Sequence, residues 1–309
     1  MRLTFGILMS LMVGVAHANT DLATAIENVR TTCGNISAEL NDMKKMAGIT
    51  TTVTGVGTVA GGVALGTGIA KANVDKEIEE LESQIARLNA ERGDVPIEHL
   101  QIEDEALFKR QVNEFIAYYQ AKEQEISVAE QKSKNLGNWR TGTLATSTVA
   151  NIAGAVMSGT NKVKGDLKQQ IDECLASVKT LSNIRMQARI DGSANDTELA
   201  RAENIIRACD AWTTVDISSI NKCSTGATLS AGIGAGLGLA GTITSASANS
   251  KDIRSGDDKQ KEKNLNTAAN VLAGGTTAAS LSATIFNATQ ISAIKRAATV
   301  ADECEGALK

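Results

Sequence analysis

The stretch from Met46 to Leu81 reads MAGITTTVTGVGTVAGGVALGTGIAKANVDKEIEEL, and its interpretation decides the fold. β-Branched residues and glycine crowd its first half. Both are mediocre or poor helix formers, so local preference alone would write strands here. The apolar spacing says otherwise. Ile49, Val53, Val56, Ala60, Val63, Thr67, Ala70 and Val74 recur at intervals of three and four, then run unbroken into Ile78, Leu81, Ile85 and Leu88. That is the period of a helix.

The same spacing recurs outward from this stretch. Leu22, Ile26, Val29, Cys33, Ile36, Leu40 and Met43 precede it, and Phe108, Val112, Phe115, Tyr119, Lys122, Ile126 and Ala129 follow it with one charged interruption. Two more glycine-rich stretches obey the rule: Ala145, Val149, Ile152, Val156, Gly159 and Val163, then Leu229, Ile233, Gly236, Ala240 and Ile243. Such series predict helices packed along narrow seams. Composition agrees, since 309 residues hold one proline, 27 glycines and only 3% aromatics. A β-sandwich or α/β enzyme of this length would carry more turn prolines and larger core side chains. Pro96 and Gly93 fall between two charged series, where they mark a helix reversal. The expected class is all-α, built from long antiparallel, coiled-coil-like hairpins with Gly/Ala/Thr-rich seams.

Four segments carry no charge: Met46 to Ala70, Thr141 to Asn161, Cys223 to Ser250, and Asn264 to Ile294. They fall into two similar pairs. Cys33 and Asn73 lie 176 residues before Cys209 and Asn249, and Lys134-Asn135-Leu136 lies 129 before Lys263-Asn264-Leu265. Asp172-Glu173-Cys174 lies 130 before Asp302-Glu303-Cys304. These landmarks predict an internal duplication. The first hairpin spans residues 19–187 with a charged coiled-coil tip at about 74–133, a linker follows at 188–200, and the second hairpin spans 201–309.

Residues 1–18, MRLTFGILMSLMVGVAHA, read as a cleaved secretory signal: Arg2, an apolar stretch from Phe5 to Val15, then Ala16-His17-Ala18. Asn19 rather than cysteine follows, which disfavours a lipoprotein. The expected location is periplasmic or extracellular, where disulfides persist. Each proposed copy opens with a cysteine (Cys33, Cys209) and closes with one (Cys174, Cys304). The ends of an antiparallel hairpin lie side by side, so Cys33–Cys174 and Cys209–Cys304 are the expected bridges. The midpoint of the second pair falls at Gly256 and Asp257, inside a polar turn. In the first copy the arms look unequal about Pro96. Cys223 is left unpaired, and Cys209 with Cys223 is the rival pairing.

Chemistry is conspicuous by what is lacking. Signal cleavage leaves His99 as the one histidine, in a loop-like DVPIEHL, so a histidine-rich zinc site is out of reach and a histidine-based triad would depend on it alone. Glu77, Glu79, Glu80 and Glu82 form a charge run of the kind that wets a helix face. GVGTVAGG and GIGAGLG lack the Gly-Lys-Ser/Thr of a phosphate loop. The net charge of −4, with lysines dispersed, argues against a nucleic-acid binder. No catalytic, cofactor-binding or metal-ligating residue is assigned, and no small-molecule substrate is inferred.

Glycines at spacing four remain: Gly57 and Gly61, Gly62 and Gly66, Gly232 and Gly236, Gly234 and Gly238. Such pairs let helix backbones approach closely, as membrane helices do. Yet Met46 to Ala70 has one leucine and no phenylalanine, which makes it a weak lipid span. The leading expectation is an exported, non-enzymatic helical bundle that binds a protein partner or itself. The alternative is a membrane-inserting, pore-forming secreted protein that uses the uncharged hairpins.

Overall fold

The computed structural model describes residues 22–93, 105–250 and 259–309. Seven helices and one 3₁₀ turn account for them: α1 (22–33), α2 (Ile36–Gly93), α3 (Glu105–Thr160), α4 (Gly165–Asp191), α5 (Asp196–Cys209), the turn Asp210–Thr214, α6 (Ile217–Ala248) and α7 (Lys259–Leu308). No strand occurs among the described residues. The protein is all-helical, with long helices packed against one another. The expected signal segment, Pro96, His99 and the expected turn at Gly256 and Asp257 lie outside the described residues.

Threonine-rich segments become helical because the hydroxyls find partners on the helix itself. Thr50, Thr51 and Thr58 donate to the carbonyls of Met46, Ala47 and Thr54, one turn back. This removes the polar cost of threonine where water is scarce. Local propensity loses to period here.

The chain forms two compact units. Each draws on both sequence halves, whereas the sequence pointed to a division at 188–200. There α4 runs on to Asp191, and Gly192 (φ 63°) turns the chain in the left-handed region that glycine tolerates. Asn195 then opens α5 through a capping box with Glu198. The expected linker is thus a short, well-specified turn between two helices.

The first unit comprises Met1–Val53, Ala153–Ser230 and Ser282–Lys309. Its core is of the ordinary kind: Leu22, Val29, Ile36, Leu40, Leu167, Ile171, Leu181, Ile205, Trp212 and Ile220 are all buried together. Within it Cys33 and Cys174 are at disulfide distance (S–S 2.05 Å), as are Cys209 and Cys304 (1.99 Å). Cys223 is free and half-buried. The sulfurs of Cys33, Cys174 and Cys304 lie within 4.8 Å of one another, so the two bridges are neighbours.

The second unit comprises Thr54–Ile152 and Ala231–Leu281. Its apolar core is small: Ala64, Leu144 and Ala273, with Leu65 against them. Close approach replaces bulk. A methyl group built on Gly61 would stand 2.8 Å from Thr277 Oγ1 and 3.3 Å from Thr277 Cα, while at adjacent Gly62 it would meet nothing within 4 Å. Gly61→Ala should therefore lower unfolding stability by about 1–3 kcal/mol. Gly62→Ala should leave it unchanged or raise it by up to about 1 kcal/mol. Denaturant midpoints of the two variants, compared with the parent, check this pair.

Candidate functional site

Three of the apolar series named from sequence keep their helical period but take the opposite phase. In the uncharged segments Ile49, Val56 and Val63 are exposed, as are Val149, Ile152 and Val156, and Leu229, Ile233 and Ile243. Val149 is 67% exposed and Val271, on α7, 70%. What turns inward is small or polar. In the first unit Thr50, Ser158, Asn161, Ser224, Asn287 and Gln290 are buried; in the second, Thr54, Ser147, Asn151, Ser245, Thr276 and Ser280. This reverses the usual distribution of residues between core and surface. The same chain buries leucine and isoleucine normally around its disulfides, so the reversal belongs to the uncharged segments.

The glycine pairs divide in the same way. Gly57 approaches Asn151, Gly234 the same Asn151, Gly61 Thr277, and Gly238 Thr148 and Thr276. Gly62, Gly66, Gly232 and Gly236 have open space where a side chain would begin. On each helix one pair belongs to the inner seam and the other to the outer face. Sequence spacing could not tell them apart, because both pairs repeat every four residues.

Hydrogen bonds satisfy most of these buried polar groups, as burial demands, with Gln290 Oε1 left without a partner. In the second unit Asn151 Nδ2 donates to Ser280 Oγ (2.7 Å), Ser280 Oγ returns a bond to Asn151 Oδ1 (3.0 Å), and Ser147 Oγ donates to the Gly57 carbonyl (2.7 Å). In the first, Ser158 Oγ donates to Asn287 Oδ1 (3.1 Å), and Ser224 Oγ donates to the Ser158 carbonyl (2.6 Å).

At its charged border the second unit buries two cations completely. Lys71 Nζ donates to Asp75 (2.7 Å) and Glu262 (3.2 Å), and Ser133 Oγ donates to the other Asp75 oxygen (2.5 Å). Arg140 spends its guanidinium on neutral acceptors: Ser245 Oγ (2.9 Å), Asn266 Oδ1 (2.7 Å) and Asn270 Oδ1 (3.1 Å). Two basic and two acidic side chains balance there, which makes the cluster a structural tie among α2, α3, α6 and α7. Next to it Trp139 is 66% exposed, with Val128 on the same helix 62% exposed.

The charges that bound the uncharged segments are all basic. Lys45 and Lys71 flank the first, Arg140 and Lys162 the second, Lys222 and Lys251 the third, Lys263 and Lys295 the fourth. In the first unit these ends are held at one level by Asn161. Its Nδ2 donates to the Met43 carbonyl (3.2 Å), its own carbonyl accepts from Gln290 (2.6 Å), and two residues on Val163 exchanges bonds with Asn221. Sequence reading missed this hub, since an asparagine among threonines and glycines carries no mark of its own.

Among the described residues, the other cysteines being bonded, Cys223 offers the one free thiol, and the bonded sulfurs provide no thiolate for a metal. Comparison with protein-family models, curated proteins and solved structures returned no match.

Proposed function

We propose that this chain is an exported, non-enzymatic helical protein seated in a lipid bilayer by the outer faces of its four uncharged segments, where it acts as a structural or interaction module. The observation that carries this reading is the exposure of valine and isoleucine over a seam of serine, threonine and asparagine. In water that arrangement leaves a large apolar surface wet. In lipid it costs nothing, because the tails are as apolar as the side chains and helices associate through small residues and hydrogen bonds.

Length supports it. The shortest segment, Thr141 to Asn161, is about 31 Å as a helix, against a hydrocarbon core of about 30 Å. Two described helical stretches, Leu22–Ala90 and Asp196–Ala248, are long and apolar enough to cross a membrane, yet their most apolar windows are only 33% and 28% buried. A soluble core helix of that hydropathy would be mostly covered. The two disulfide-distance pairs are compatible with an oxidising, exported environment.

The duplication and its antiparallel hairpins belong to the same proposal. Asn151 meets Ser280 and Ser158 meets Asn287, in each case a partner 129 residues away. That is the offset separating the repeated Lys-Asn-Leu landmarks. Equivalent residues touching one another are what two copies related by a two-fold axis produce.

The test is membrane partition of the full chain. After expression it should stay with membranes through an alkaline carbonate wash, and the purified protein should float with liposomes at neutral and acidic pH. A chain found in the carbonate supernatant and at the bottom of the flotation gradient would be a water-soluble bundle instead. Dye release from the same liposomes separates simple residence from pore formation.

A further inference from the structure

The two units treat their basic residues differently. In the second unit Lys71 and Arg140 are sequestered inside, and exposed Lys263 and Lys259 are ion-paired to Glu79 (3.3 Å) and Glu82 (2.5 Å). In the first unit the flanking cations remain at the surface. Lys164, Lys222, Lys295 and Arg296 are exposed and Lys162 half-exposed, and of the flanking set Lys45 is the one ion-paired, to Asp42 at 3.1 Å. Asp216 tempers Lys222, its carboxyl held below the usual range first by the Ser218 hydroxyl and in small part by that lysine.

The Asn161 hub ties α2, α3, α6 and α7 at this level, so these cations, from the α3–α4 connection, α6 and α7, border the point where apolar outer faces begin. Resting on the membrane reading above, we propose that Lys162, Lys164, Lys222, Lys295 and Arg296 form a collar that binds the phosphates of anionic phospholipid headgroups. Lysine and arginine stems lie along the apolar boundary and deliver their charge to the headgroup layer. Attraction to an anionic surface then adds to burial of the aliphatic faces. With Lys71 and Arg140 buried and Lys259 and Lys263 ion-paired, the exposed cations of the first unit are the ones that prefer an anionic leaflet.

The experiment measures partition of the purified, oxidised full chain onto vesicles of phosphatidylcholine alone and of phosphatidylcholine with about one third phosphatidylglycerol. The parent should partition more strongly onto the anionic vesicles, and the gain should fall as salt rises. Neutralising Lys162→Gln, Lys164→Gln, Lys222→Gln, Lys295→Gln and Arg296→Gln together should abolish the gain, on the order of fivefold per cation at low salt. Partition onto the neutral vesicles should persist. A control with Lys259→Gln and Lys263→Gln should keep the gain.

Equal partition of the parent onto both vesicles, or a collar variant that keeps the anionic preference, would overturn the proposal while leaving membrane residence standing. No partition onto either vesicle would remove the membrane reading itself. Circular dichroism and non-reducing peptide mapping confirm that each variant is folded with both bridges intact.

Discussion

Placing an aspartate at two outward positions, Val149→Asp and Ile233→Asp, should strip the chain from membranes. Both side chains are more than half exposed and stand mid-way along uncharged segments, so neither change disturbs the inner seam. A carboxylate at the centre of a spanning helix costs about 3 kcal/mol on insertion scales. Two of them should cut the carbonate-resistant fraction by well over tenfold. In a water-soluble bundle the same changes touch only the surface and would shift stability by about 0.5 kcal/mol or less. The signs differ as well as the sizes: a soluble protein gains solubility from these aspartates, whereas a membrane protein loses its place.

Loss of a disulfide has the other large effect. Cys33–Cys174 and Cys209–Cys304 span 141 and 95 residues. In the chain-entropy account, closing a loop of this size constrains the unfolded chain by about 4–5 kcal/mol. Cys209→Ala with Cys304→Ala should therefore lower the denaturant midpoint of the first unit sharply. Trp212, buried in the same core as all four bonded cysteines, reports it by fluorescence once exposed Trp139 is replaced by phenylalanine. An unchanged midpoint would mean that the aliphatic core holds this unit without the bridge.

Much of the architecture was legible in the sequence because periodicity survives poor local propensity. The four-three spacing called for helices through Thr50 to Val59, where composition suggested strands, and the helix there is continuous. Cysteine placement also carried information, since the ends of long helical arms can only be bridged if those ends meet. Phase was not legible. A spacing of three and four states that one face is apolar, and it is silent on whether that face meets protein or lipid. Ile49, Val56 and Val63 satisfy the rule as well outside as they would inside.

The polar seam was hidden for a related reason. Asn151, Asn161 and Asn287 gain meaning from partners 118 to 129 residues away, which no local pattern announces. No local pattern marks Arg140 or Lys71 as buried cations. Only three-dimensional packing turns them inward and leaves the flanking cations of the first unit exposed.

The central claim is that the outward aliphatic faces lie in lipid. It is tested most directly by nitroxide labels on single cysteines at Val149 and Ile233, in a Cys223→Ser background with both disulfides intact, reconstituted in bilayers. Collision rates with oxygen, which concentrates in hydrocarbon, and with a water-soluble nickel chelate are then compared. High oxygen access with little nickel access at both sites is the result this account predicts. Nickel access matching that of an exposed label on the charged part of α3, such as Glu123, would contradict it.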